Sequence, residues 1–394
     1  MNGDTRERFK PGGRRQPEID LREIPREVTE WERDAFLAIT DTSLTPQQEE
    51  YIRNPQARFP RQEYVLAVHW HPEQVPFPLI EDRVAAMFPG RKDELIIPTQ
   101  HNQLLTMGDY AGVEVDCYSR GFNRKVQLLL HMRKERLERA GVLFNMLRHT
   151  FKYRSSQLFE YLEHIYDPKW EDTRQIAAKR SGSDEEVVEF AAIEAAKLKT
   201  LLEDGHATTP EEAVKNKLVR NFFDSLRQFY DARFINKVQV YLKAVKELVK
   251  ENFSLAYFYR TSEIIEEARR IGAGVVIPHP EQFWPILLAG YDVDGIEVWN
   301  PQSQQYTEFL ITSVNRENKL GHRKHRPILI FMGDDCHLSE KLKPPKEQDP
   351  DKVTREVGLQ PAWDDVLISK SLTVAGVDRK TVMDEYRARL AQEA

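Results

Sequence analysis

Cysteine is the scarcest residue type in this 394-residue chain, with two only, Cys117 and Cys336. Two thiols cannot build a disulfide framework, so a reducing compartment, the cytoplasm, is the expected setting. Long apolar runs are missing as well: none approaches the eighteen or so residues of a membrane span. The opening stretch, MNGDTRERFKPGGRRQPE, is basic and polar without an apolar h-region, so no secretory signal is expected. Nor is positive charge in excess. Lys and Arg number 57 against 63 Asp and Glu, a net charge of −6 that argues against binding a nucleic-acid polymer through its phosphates. What is present, 40% hydrophobic and 30% charged residues, suits a globular chain of one large or two ordinary domains. The default expectation is a cytoplasmic enzyme or binding protein.

Organisation follows from the spacing of apolar residues. Residues 1–20, with Gly12-Gly13 and many charges, read as a mobile arm, and residues 1–60 as an arm with a helical lead-in that includes a helix from Thr45. Short apolar, β-prone runs then recur at 64–68, 94–98, 112–116, 125–132, 274–278, 295–299 and 327–332, with helix-length segments at 79–88, 282–289 and 303–315. That alternation predicts an α/β fold with a mainly parallel sheet, barrel-like in its seven strands. Residues 133–271 break the rhythm. They are rich in Ala, Leu, Glu and Lys, with apolar residues at helical spacing, and predict an all-helical insertion between barrel segments 61–132 and 272–340. Its aromatics Phe222, Phe223, Phe229 and Tyr230 are expected to pack. A C-terminal extension, 341–394, ends in an expected surface helix over 378–391.

Chemistry concentrates at the ends of the predicted strands. Leu66-Ala-Val-His69-Trp70-His71-Pro72 puts two imidazoles on one face of a strand, a pair that a chain with 11 histidines produces by chance about 0.3 times. Thr99-Gln100-His101-Asn102 ends the second run, and Gly112-Val-Glu114-Val-Asp116 buries a carboxylate that needs a partner. Ile277-Pro-His279-Pro280 and Gly333-Asp334-Asp335-Cys336-His337 follow the insertion. Ligands at the C-terminal ends of successive strands meet at the open face of such a barrel, and mixed His and carboxylate sets suit Zn, Mn or Fe. Cys336, between two candidate ligands, is expected to fill core space. Arg120 and Arg124 follow the Glu114 strand and are weak candidates for gripping substrate phosphate. The cluster 321–326 reads as a solvated loop.

Together these motifs resemble the PHP (polymerase and histidinol phosphatase) family. The resemblance spans roughly 64–132 and 272–340, and the helical region stands as an insertion of the kind some members carry. It implies a distorted (β/α)7 TIM-like barrel and a site of two or three divalent metal ions that hydrolyses phosphoesters with metal-activated water. Carried over residue by residue, His69, His71, Glu114 and Asp335 would hold one ion. Glu114 would bridge to a second held by His279, and His101 and His337 would hold a third. Glu114 and Asp335 would be the catalytic carboxylates. The sequence departs from the family at three places. The span after H-x-H offers Glu73 and Gln74 where another ligand is usual, Gln100 stands beside His101 in place of an acid, and a family histidine falls on Gln127. Glu73 and His131 are the auxiliary ligand candidates.

The function expected from this reading is hydrolysis of a small phosphorylated molecule or nucleotide, with the insertion shaping the substrate pocket. The alternatives are a catalytically altered metal-binding regulatory module and a metal-dependent hydrolase of C–N or C–O bonds.

Overall fold

The computed structural model describes residues 21–320 and 326–392. The expected mobile arm, 1–20, and most of the 321–326 cluster lie outside these residues. The chain separates into two compact units: the described residues of Met1–Asp41 with Ser155–Phe253, and Thr42–Arg154 with Ser254–Ala394.

The second unit is mixed α/β. Its strands are β1 (Tyr64–Ala67), β2 (Trp70–His71), β3 (Asp93–Ile96), β4 (Leu105–Met107), β5 (Tyr110–Ser119), β6 (Arg124–Arg133), β7 (Gly274–Ile277), β8 (Gly295–Trp299), β9 (Leu329–Met332) and β10 (Cys336–His337). Six form one sheet in the order β4-β5-β6-β7-β8-β9, while β1 pairs with β3 and β2 with β10. Two expectations need correction. The sheet is not mainly parallel: β4 to β7 run antiparallel, and only β7-β8-β9 and the two small pairs are parallel. For β4-β5-β6 the reason is chain length: two residues connect β4 to β5 and four connect β5 to β6, and a parallel crossover needs about a dozen. Nor does a closed barrel ladder form among the described residues. The isolated bridge His101–Glu114 links the segment after β3 to β5.

The core of this unit is built from the inward faces of these strands, including Val113, Val115, Leu128, Val275, Val298 and Phe331. The C-terminal helix Arg379–Ala391 contributes to it and is not a surface helix. Val382, Met383, Tyr386 and Leu390, at helical spacing, are all buried in this core.

The other unit is helical. Asp184 caps Glu185–Asp204 through the Val187 N–H, and Gly182, in the left-handed region at φ 68°, ends Glu171–Ser181. Leu158, Leu162, Phe190, Leu198, Phe222, Phe223, Val238 and Leu242 share its core. Of the aromatics expected to pack, Phe229 instead stays 60% exposed, edge-on to Trp31 at 4.6 Å. The wholly helical part starts at Ser155, later than the expected 133, because the helices Gly141–Phe151 and Thr261–Arg270 belong to the sheet unit.

Candidate metal centre

All the candidate ligands but Glu114 sit where a strand ends and the backbone turns. His69 lies between β1 and β2, His71 ends β2, His101 follows β3, Glu114 lies within β5, His279 follows β7, and Asp335 and His337 follow β9. The turns are tight. Four of the five non-glycine residues with positive φ among the described residues are here: Glu73 (51°), Asn102 (54°), His279 (26°) and Asp335 (43°). Each such conformation costs roughly 1–3 kcal/mol, and strain of this kind gathers at functional sites.

The side chains converge on Glu114, whose two oxygens face different histidines. Oε1 lies 3.5 Å from His279 Nε2 and 4.0 Å from His69 Nε2. Oε2 lies 2.7 Å from His101 Nδ1 and 3.4 Å from His71 Nε2. Asp335 Oδ1 is 3.7 Å from both His69 Nε2 and His71 Nε2, and 3.4 Å from His337 Nε2. The His71 ring stacks on both His101, at 4.5 Å, and His337, at 4.2 Å, and the latter two are 5.9 Å apart. Three groups have the spacing to hold an ion: His69, His71 and Asp335; His69, Glu114 and His279; and His71, His101 and His337. All seven expected ligands therefore meet in one place, and His69 and His71 each belong to two groups.

The donor set fits a metal on its own chemistry. His69 Nε2, both ring nitrogens of His71 and His279 Nδ1 are buried without a hydrogen-bond partner. Leaving such groups unpaired costs about 1–3 kcal/mol each unless something else takes the lone pair. The electrostatics agree. Burial together with the neighbouring His337 and His101 drives the His71 pKa well below the ordinary imidazole value, so it stays neutral and able to ligate. Burial alone would also lower His69, but Glu297, Asp335 and Glu114 outweigh it and push the pKa up to about 10. Likewise Asp335 and Glu73 raise His337 to about 9 against its burial. Burial would raise Glu114, yet the surrounding histidines hold its carboxyl well below the usual range. Two protons thus sit where cations would balance the carboxylates.

Partners outside the cluster fix its members. Glu297, on β8, accepts from His69 Nδ1 at 2.8 Å through Oε1 and from the His279 N–H at 2.8 Å through Oε2. Asp335 Oδ2 accepts from Arg355 Nη1 at 2.9 Å and Gln302 Nε2 at 2.5 Å, which leaves Oδ1 to face the histidines. Sequence reasoning missed all three of these residues. Glu297 carried the same signal as Glu114, a carboxylate in an apolar strand, within Gly295-Ile-Glu297-Val-Trp299. Arg355 and Gln302 lie in polar stretches that give no such sign.

The secondary candidates divide. Glu73 reaches the cluster's edge, 3.4 Å from His337 Nδ1, and accepts from the Ser339 N–H. His131 is a correction. It shares a face with Glu114, but Nε2 meets the Val68 carbonyl at 2.8 Å and Nδ1 the Tyr386 hydroxyl at 2.7 Å, so neither nitrogen is available. Gln100 accepts from the Glu73 N–H, and Gln127 pairs opposite Asp116. Arg120 and Arg124 are also corrections. Arg124 pairs with Ser119, five residues beyond Glu114, which places it about 17 Å away along the strand and on the opposite sheet face. Arg120 is exposed in the turn between them. The Cys336 thiol donates to the Arg355 carbonyl at 3.2 Å and does not join the cluster, as its reading as core filler requires.

No family model matches the chain, and neither does any curated protein. Among solved structures, a protein of Bifidobacterium adolescentis provisionally assigned as a metal-dependent phosphoesterase is 16% identical and is matched over 98% of its length and 81% of this chain. The TM-score is 0.39, a superposition too loose to carry over either fold or chemistry. Among the described residues, no helix is long and apolar enough to cross a membrane.

Proposed function

We propose that this chain is a metal-dependent phosphoesterase of the PHP type, acting on a small phosphorylated molecule. The observation that supports it most is the division of Glu114. One buried carboxylate turns each oxygen to a different pair of imidazoles, His69 and His279 on one side and His71 and His101 on the other, so that it could serve two ions. Divalent ions held there would neutralise phosphoryl oxygens and make water acidic enough to attack near neutral pH. The chain's own residues prepare for this. His71 stays neutral, Glu114 and Asp335 stay ionised, and Arg355 with Gln302 keeps Asp335 presenting one oxygen. The nitrogen and oxygen donors favour Zn, Mn or Fe over Mg or Ca.

Elemental analysis of protein purified without chelator, followed by parallel assays on phosphomonoesters, phosphodiesters and amides, tests the reading. Two or more transition-metal ions per chain with phosphoester turnover are expected. The double variant His69→Ala with Glu114→Ala should lose metal, and turnover should fall about a thousandfold or more, the scale on which removing transition-state charge stabilisation acts. Metal and turnover retained in that variant would sink the proposal. Turnover of amides alone would point to C–N hydrolysis. One observation favours a second reading, a metal-stabilised binding module. Gln100 and His131 are both committed to internal hydrogen bonds, so the His71, His101 and His337 group gains no ligand from either. One ion per chain without turnover would select that reading.

A further inference from the structure

Glu297 belongs to none of the three ligand groups, yet it contacts two of their members. Its residue is 2% exposed, and its carboxylate makes three contacts: His69 Nδ1 at 2.8 Å, the His279 N–H at 2.8 Å and Asn300 Nδ2 at 3.3 Å. The first contact fixes a tautomer. With Nδ1 donating to Glu297, the lone pair of a neutral His69 ring lies on Nε2, the atom that faces Glu114 and Asp335. The second contact fixes a backbone. His279 holds φ at 26° between two prolines, a conformation that needs an external tie, and its N–H is tied to Glu297.

Only a carboxylate can accept at both contacts and so hold the proton of a neutral His69 ring on Nδ1, because the two contacts fall on different oxygens. An amide of the same shape accepts at one end and presents N–H donors at the other. The surroundings are shaped to admit it. Gly333, just before Asp334-Asp335, lies so close that a Cβ there would overlap the Glu297 carboxylate. Its φ is not positive, so the glycine is required by this close approach and not by backbone conformation.

We infer that Glu297 is the positioning residue of this centre. It sets the His69 tautomer and the His279 backbone together, so that the His69, Glu114 and His279 group is assembled before an ion arrives, and Gly333 provides its slot. The inference rests on the proposed metal-binding reading and adds a residue that the PHP resemblance did not supply.

Two variants reach Glu297 by independent routes. Glu297→Gln keeps its volume and must either lose one contact or donate to His69 Nδ1, which moves the ring proton to Nε2. Gly333→Ala removes no polar group and displaces the carboxylate. After chelator treatment, each full-length variant is titrated with Zn2+ in competition with a chromophoric chelator and checked by circular dichroism. Affinity should fall roughly 10- to 100-fold in both, the range seen when partners of metal-ligating histidines are removed. In isotope-labelled histidine spectra of the metal-loaded protein, the Nδ1-protonated signal of His69 should weaken in both variants. Glu297→Asp, which retains two acceptors, should recover part of the affinity. If the parent protein binds Zn2+ and both variants bind it as tightly with unchanged histidine signals, Glu297 is only a buried acceptor and the inference fails alone. If the parent protein binds no transition metal, the proposed function fails first and takes the inference with it. Should one variant fail to fold, the other decides.

Discussion

Both units of this molecule bury charged and imidazole side chains, and they treat them in opposite ways. In the helical unit, Lys197 is almost fully buried and closes on two carboxylates, Glu32 at 2.6 Å and Glu194 at 2.9 Å. Its buried imidazole, His164, stacks on Trp170 with ring centroids 3.7 Å apart. Neither ring nitrogen of His164 has a hydrogen-bond partner. In the sheet unit, by contrast, five histidines face one another across two carboxylates, and ring nitrogens point inward. The difference teaches which feature signals a ligand site. An unpartnered buried nitrogen alone does not, since His164 has two and a packing role explains it. Convergence does: several unpartnered nitrogens with carboxylates between them make sense only if a cation belongs there.

The comparison can be broken most forcefully at Lys197. Lys197→Met removes the cation that joins Glu32 to Glu194 and leaves the two carboxylates buried without it. Breaking a buried pair from one side costs about 3–5 kcal/mol, so chemical denaturation should show a loss of that size. Glu194, already raised to about 7 mainly by burial, would then take up a proton near neutral pH. Metal content should not change, because no member of the cluster lies in this unit. Loss of metal in a folded Lys197→Met protein would mean that the two regions are not independent.

The second test sharpens the electrostatic side. His69 and His337 have raised pKa values, about 10 and about 9, in the metal-free protein. A raised folded-state pKa contributes stability that is complete below the unfolded value of 6.5 and is lost as pH climbs through the folded value. The metal-free protein should therefore lose stability progressively between pH 6.5 and about 10. Metal binding runs the other way, because each ion must displace these protons. Affinity should rise about tenfold per pH unit for each proton released, up to about pH 9. Calorimetric titration in buffers of different ionisation enthalpy counts the protons. No release between pH 7 and 9 would show that the raised values play no part in ligation.

How much of this was legible in the chain depends on which force wrote each part. Burial wrote the strands: the apolar run 295–299 matches β8, and the run 112–116 lies inside the longer β5. Direction was harder to see, because apolar continuity says nothing about pairing, although the short link between β5 and β6 excluded a parallel crossover. The C-terminal helix was misplaced on the surface because its four apolar residues are diluted by arginines. One of those, Arg389, is itself buried and donates to the carbonyls of Asp294 and Pro327. The ligands were readable because metal chemistry restricts residue type: His and carboxylate at strand ends have few other uses. Their supports were not. Arg355 acts through Asp335, 20 residues away in sequence, and only the fold brings them together. His131 failed for the complementary reason. Its strand face was inferred correctly from two-residue alternation, but its nitrogens were claimed by Val68 and by Tyr386, 255 residues away, which no local pattern reveals.

The smallest effect belongs to His164, and it tests the distinction between the two regions most directly. His164→Phe keeps an aromatic ring against Trp170 and removes two buried nitrogens that have no hydrogen-bond partner. An aromatic pair is worth about 0.5–1.5 kcal/mol, and that part is retained. Removing polar atoms that have no partner is neutral or favourable, so stability should stay level or rise by about 1 kcal/mol, with metal content unchanged. The same exchange at His71, whose ring stacks on those of His101 and His337, keeps stacking too, but it removes a ligand from two of the three groups and should lower the metal content of the protein. A stability loss at His164, or undiminished metal content in His71→Phe, would mean that convergence does not separate ligand from packing in this molecule.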